Sequence, residues 1–220
     1  MIIVHHLRNV GYRPKGIVHV GAHFGQEREG YKSLNPELIV WVEADPETFA
    51  GLQRAVTPEE REATPRQILL NALISDKDGD IVPFHRFSNY GVSSSMFSAT
   101  PLLNEAWPDV KETGEIIELT SRRIDSLFPE QGIFPQNVDV MIFDVQGAEL
   151  TALQGSGKYL ENTQFVEVEV SKQSIYEGAP LEPEVSDFLR NAGFERITTD
   201  IPWHGDVVYG RHGAQGSSGQ

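Results

Sequence analysis

Acidic side chains at the ends of apolar strands are the residues of this chain best placed to do chemistry. Glu43 closes the run LIVWVE, Asp144 closes VMIFD, and Glu167 and Glu169 alternate within FVEVEV. In an open α/β sheet such positions face the crevice where ligands bind. Ahead of Glu43 lies IVHVGAHFGQEREG, an apolar strand followed by a turn broken by Gly21 and Gly25. Strand, tight loop, helix, strand and carboxylate form the arrangement of a nucleotide-type cofactor site, in which Glu43 can accept hydrogen bonds from both hydroxyls of a ribose. The glycines are expected to let backbone approach that ligand closely.

The spacing narrows the ligand. A dinucleotide site needs G-x-G-x-x-G with a helix N-terminus aimed at a pyrophosphate, and the loop contains no G-x-G. Glu27 and Glu29 stand where the helix begins and would repel phosphates. A cofactor with a ribose and no phosphate fits better, which points to S-adenosylmethionine.

These residues need elements to hold them. Apolar runs at Ile17 to Val20, Leu38 to Val42, Gln67 to Ala72, Val138 to Phe143 and Phe165 to Val170 alternate with helical stretches, the order of a mostly parallel sheet. Two further strands, Glu195 to Thr199 and Asp206 to Arg211, are too close in sequence for a parallel crossover and are expected as an antiparallel pair at the edge. Before them, Glu184 to Asn191 reads as a helix stopped by Gly193. The chain is read as one domain over residues 1–212. An insertion at about 80–135 between the third and fourth strands is placed as a substrate lid. Within it Ile81, Pro83 and His85 suggest a strand, and Ile116 to Thr120 its partner. Residues 213–220, rich in Gly, Ser and Gln, are expected to be a disordered tail.

Composition sets outer bounds. A length of 220 residues with 39% hydrophobic content suits a single covered sheet. The net charge of -14 disfavours a nucleic-acid partner, since a polyanion would be repelled. With no cysteine there are no disulfides, thiolate metal sites or thiol nucleophiles. No apolar stretch is long enough for a membrane span and no secretory leader is visible, so a cytoplasmic location is expected. Histidines show no zinc-type spacing, and oligomeric state is left open.

The motifs VGAHFGQE, VEADPETF, NALISD, NYGVSSSM, RRIDSL, FDVQGAELTALQG, EVSKQSIYEG and HGDVVYGR resemble, in order and spacing, the FkbM-type methyltransferases, from about Gly11 to Arg211. The resemblance implies a class I, Rossmann-like α/β fold with a seven-stranded, mostly parallel sheet and an antiparallel last strand. It also implies S-adenosylmethionine-dependent O-methylation of a sugar, glycoside or natural product. By the same resemblance Gly21, His23 and Gly25 line the methionine part of the cofactor, and Glu43 with Ala44 holds the ribose. Asn71 and Ala72 border the adenine, Asp144 sits beside the methyl group or the amine, and Ser93, Ser94 and Ser95 form a loop over the site. Two positions depart from the family pattern. His23 stands for the usual loop asparagine, and Gln146 for the usual glutamate after the strand-four Asp-Val, so a role for that glutamate is not carried over.

Methyl transfer to an alcohol is a direct displacement in which the acceptor must lose a proton. Asp144, Glu169 and His204 are the candidate catalytic residues. Mg²⁺ held by Asp144, Glu169 and Asp206 is the alternative way of lowering the acceptor's pKa. Two other functions compete: N-methylation of an amine or peptide, and a non-catalytic cofactor-binding protein, the latter motivated by His23 and Gln146.

Overall fold

Runs rich in valine, isoleucine and leucine form the centre of the molecule, because branched side chains fill a sheet buried on both faces. In the computed structural model, which describes residues 2–211 and Gly213, the first half of the chain comprises α1 (Ile2–Asn9), β1 (Gly16–Val20), α2 (Arg28–Lys32), β2 (Leu38–Glu43), α3 (Pro46–Ala55), α4 (Pro58–Glu62) and β3 (Arg66–Asn71). There follow β4 (Leu73–Ile74), β5 (Ile81–Phe87), α5 (Pro101–Ala106), β6 (Glu112–Arg122) and α6 (Ile124–Glu130). The last part holds β7 (Val140–Phe143), α7 (Glu149–Gln154), α8 (Gly157–Leu160), β8 (Phe165–Ser171), α9 (Glu182–Asn191), β9 (Phe194–Arg196) and β10 (His204–Arg211).

The principal sheet has seven strands in the order β3-β2-β1-β7-β8-β10-β9. The first five in that order run parallel, and β10 lies antiparallel between β8 and β9. This is the sheet expected from the sequence, with its single reversed strand. The chain winds outward from β1 to β3 and then restarts at β7 on the other side of β1. Strand order therefore reverses between β1 and β7, and ligands of open sheets bind in the crevice at such a switch point. The Gly21 loop leaves β1 there and Asp144 leaves β7 there.

Alternation along each strand divides the core. Val18, Val20 and Val40 pack on one face with Phe128, Leu153 and Leu189, while Ile17, Ile39 and Trp41 pack on the other with Tyr31, Leu52 and α1. Helix α1 buries Ile3, Val4 and Leu7, an amphipathic turn that the sequence reading did not assign. The fourth apolar strand begins at Val140 rather than Val138, because Pro135–Asn137 form a 3₁₀ turn. Asp139, just before it, accepts hydrogen bonds from the Lys15 and Gly16 amides and from Tyr12.

The insertion makes a second sheet in the order β4-β6-β5. Ile81 pairs with Thr120 and His85 with Ile116, so the strand at Ile81 to His85 has the partner expected for it. Helix α9 ends at Asn191 before Gly193, whose φ of 87° makes it the stop. Except for Gly213, the expected tail lies outside the described residues. Among those residues no helix is long and apolar enough to cross a membrane.

Candidate active site

A cleft of about 560 Å³ opens at the switch point, lined by Gly21, His23, Glu43, Ala44, Ala72 and Asp144 together with residues of the insertion. Its anchor is Glu43. The carboxylate is 8% exposed and accepts the His23 amide at 2.8 Å and the Asp45 amide at 2.9 Å. Burial raises its pKa, against the effect of those two amides. Each carboxylate oxygen keeps a second lone pair for a diol. Asn71 does not line the cleft. Its Nδ2 donates to the carbonyls of Glu43 at 2.8 Å and Ala44 at 3.0 Å, which fixes the backbone that presents the acid.

Gly25 also stands away from the cleft, against Leu52. Gly21 lines it, but for a different reason from the one its sequence suggests. A Cβ there would lie 1.7 Å from the Asp144 carbonyl oxygen, so the glycine is required where the β1 and β7 loops touch. The ligand is not what occupies that space. His23 takes a φ of 47°. Its Nε2 donates to the Tyr90 carbonyl at 2.9 Å, and its Nδ1 accepts from Gln26 at 2.7 Å. That pattern fixes the Nε2–H tautomer and ties the insertion loop to the cofactor loop.

Sequence reasoning missed a second tie. Arg86 of β5 grips Asp45 through two bonds of 2.8 Å, while Asp45 caps α3 through the Glu47 amide. Asp45 is buried and Arg86 largely so. A D-P-E-T helix start signals the cap, but nothing local signals an arginine 41 positions later.

Behind the cleft the acids converge on Gln146. Its Nε2 donates to Asp144 Oδ1 at 2.6 Å and to Glu169 Oε2 at 2.8 Å. Its Oε1 lies 2.9 Å from the Tyr176 hydroxyl, which is also 3.0 Å from the Ser93 carbonyl, so the phenol's one proton is shared between two acceptors. Ser95 Oγ donates to the Gln146 carbonyl at 2.6 Å. Burial and the charge of Glu169 hold the Asp144 carboxyl well above the usual carboxylate range. Burial and Asp206 push Glu169 up to about 7.

Glu169 and His204 line an adjoining cavity of about 290 Å³ with Glu149, Ser171 and Tyr176. His204 Nε2 is 3.3 Å from Glu169 Oε1, and its Nδ1 is 2.6 Å from Ser171 Oγ. Burial lowers its pKa, against the pull of Glu149, Asp206 and Asp144. Trp107 and Trp203 flank it at 5.3 and 5.6 Å between centroids. Glu149 Oε1 accepts the Val145 and Gly147 amides, and burial pushes it up to about 8.

The three acids proposed for Mg²⁺ do not form a metal site. Asp206 pairs opposite Glu169 across β10 and β8, yet among the described residues no three His, Asp or Glu side chains come together as a metal-holding group. The amide of Gln146 occupies the inner oxygens of Asp144 and Glu169 instead. Asp206 lines a third cavity, of about 400 Å³, together with Glu27, Glu167 and Asp144. Glu167 is engaged by the Ile3 amide of α1. Of the two alternating acids, Glu169 is the one at the site.

The surroundings of Glu43 fit a nucleoside. Ala44, Ala72, Ile74 and Phe84 offer apolar surface for a flat base, and no lysine or arginine lines the cleft to meet a phosphate.

Comparison with known proteins gives the same direction. The sequence matches the family model described as the Methyltransferase FkbM domain over residues 19–196. It is 29% identical over 170 residues to the 2-O-methyltransferase NoeI of Sinorhizobium fredii, a match covering 74% of this chain and 65% of that protein. The fold is similar to the crystal structure of Methyltransferase FkbM from Methylobacillus flagellatus KT, with a TM-score of 0.52 at 14% identity. That likeness covers 89% of this chain and 43% of the other. This chain thus spans less than two-thirds of the length of either protein.

Proposed function

Because the chain belongs to the FkbM methyltransferase family, we propose that it transfers a methyl group from S-adenosylmethionine to a hydroxyl of a small acceptor, a sugar, glycoside or natural product. The observation that carries the reading is the pairing of two sites across Gln146. On one side is the cleft in which the Glu43 carboxylate stands beside the apolar surface of Ala44 and Ala72. On the other is a cavity whose Glu169 and His204 reach toward the same point. The 2-O-methyltransferase relative supports a hydroxyl as the acceptor group.

When bound, the cofactor supplies a methyl group on a sulfonium, an electrophile that needs no further activation, and its sulfur would leave with the bond's electron pair when an acceptor oxygen displaced it from that methyl group. Glu43 holds the ribose diol, and Ala44 and Ala72 border the base. Asp144 bonds the cofactor's amine or flanks its methyl group. Glu169 takes the hydroxyl proton. A carboxyl that titrates near 7 is matched to that task at neutral pH. His204, 3.3 Å away, orients Glu169.

Calorimetric titration with S-adenosylhomocysteine tests the cofactor assignment, with NAD as the control ligand. Micromolar affinity for the first, absent for NAD and lowered at least about tenfold by Glu43→Ala, is the expected result, since that substitution removes hydrogen bonds to a charged acceptor. Equal affinity for NAD, or no effect of Glu43→Ala, would sink the assignment. Transfer of labelled methyl to a panel of sugars and glycosides then tests the acceptor.

A further inference from the structure

The junction between the two cavities contains an arrangement that the reaction alone does not require. Two buried carboxylates, Asp144 and Glu169, point at one amide nitrogen, Gln146 Nε2, at 2.6 and 2.8 Å. The amide is held in that sense because its oxygen accepts from Tyr176 at 2.9 Å. Its backbone sits at a φ of 56°, a left-handed conformation uncommon for a residue with a side chain. The flanking turn is fixed by Glu149, which accepts the Val145 and Gly147 amides, and by Ser95 on the Gln146 carbonyl. Neither the side chain nor its backbone is free to drift.

We infer that Gln146 is a positioning residue that binds Asp144 and Glu169 into one carboxyl pair, filling with an amide the place that a divalent cation would take between them. This rests on the proposed methyl transfer for its purpose, but not for its geometry. A hard cation between two carboxylates needs their inner lone pairs and at least one more oxygen. Here those inner oxygens are spent on the N–H groups of Gln146. Turning the amide round would set Oε1 against two carboxyl oxygens, a repulsion that a bound cation or a proton on one of the carboxyls would have to offset. With the amide as found, the pair is held together by hydrogen bonds alone and Glu169 remains available as a proton acceptor. A glutamate at this position would place a third carboxylate in the cluster and recreate the demand for a cation.

Two measurements on the purified protein test this, and neither needs cofactor or acceptor. The first is calorimetric titration with Mn²⁺. The wild type and Gln146→Met should take up none at micromolar concentrations, whereas Gln146→Glu should bind at least about tenfold more tightly than the wild type, having gained a carboxylate ligand. Mn²⁺ uptake by the wild type that matches Gln146→Glu and is lost in Asp144→Asn would overturn the inference. The second is melting temperature against pH for the wild type and Gln146→Met, which keeps the bulk and removes the donors. Glu149 of α7, Tyr176, His204 and Asp206 of β10, and Glu27 beside α2, also act on this pair, and they are the same in both proteins. Loss of two N–H donors makes the charged forms of Asp144 and Glu169 harder to reach, so the variant should lose stability more steeply than the wild type as pH rises from 5 to 8. Parallel curves would show that Gln146 merely fills space, and would also overturn the inference. Failure of S-adenosylhomocysteine to bind would count against the proposed function and leave both of these results standing.

Discussion

At the scale of single residues, the positions that matter most are those where the backbone has no alternative. Gly21 combines a φ of 85° with a missing Cβ that would overlap the Asp144 carbonyl. Gly21→Ala is therefore expected to destabilise the fold by about 3 kcal/mol or more, the strain of an unfavourable backbone adding to an overlap that only movement of β7 can relieve. Urea unfolding with an unchanged midpoint would show that the two loops are not in contact. That glycine, Glu43 and Asp144 were legible in the sequence because each sits at a strand end and follows a rule of position. The reason for Gly21 was not legible, since the atom it avoids belongs to the loop after β7, 123 residues further on in the sequence. Gln146 was visible only as a departure from a pattern. Its role depends on Glu169 and Tyr176, which local spacing cannot place.

Between elements, the insertion is joined to the sheet by few but buried contacts. Arg86 bonds Asp45 twice at 2.8 Å and reaches Glu47 and Glu115 as well. The ion pair is largely out of solvent, so removing one partner leaves a buried charge uncompensated. Arg86→Leu should cost on the order of 3 to 5 kcal/mol in urea unfolding, and Asp45→Ala in the same background should recover part of that loss. A cost below 1 kcal/mol would mean that the pair is effectively solvated. The strands of the principal sheet were legible from their apolar runs and the short link between the last two. So was the antiparallel strand pair of the insertion, whose alternation survives as the pairing of Ile81 with Thr120. Helix α1 was passed over although Ile3, Val4 and Leu7 show a helical stripe. Its partner is the buried face carrying Phe165, and a helix of eight residues draws its stability from such packing more than from its own sequence.

For the molecule as a whole, the acids set the response to pH, and they reverse the usual direction. Most proteins lose stability on acidification because their carboxylates are better solvated or paired when folded. This chain carries a net charge of -14, and several of its acids are buried around one site. Glu149 is pushed up to about 8, with Glu167 and Glu169 at about 7, in each case first by burial. Glu43 and Asp144 are raised as well. For an acid with a raised folded pKa, the unfolded chain gives up its proton first as pH increases. Between the ordinary carboxyl value and about 8 the native state then binds more protons than the unfolded state, so stability falls as pH rises. The acids with lowered values, Glu59, Glu60, Asp78 and Asp200, lie at the surface, where solvent screening leaves them little influence. Above about pH 6.5, where the histidines whose values burial lowers (His6, His19 and His204) no longer oppose the trend, thermal melting up to pH 8 should therefore show a declining midpoint, at roughly 2 to 4 °C for each kcal/mol in a chain of this size. Glu149→Gln should flatten the curve above pH 6, because it removes a group pushed up to about 8 while keeping an oxygen for the Val145 and Gly147 amides. A midpoint that rises with pH across that window would mean that these carboxyls ionise freely in the folded protein. In that case Glu169 would already be deprotonated well below neutrality, and its fitness as the base would have to be argued from geometry alone.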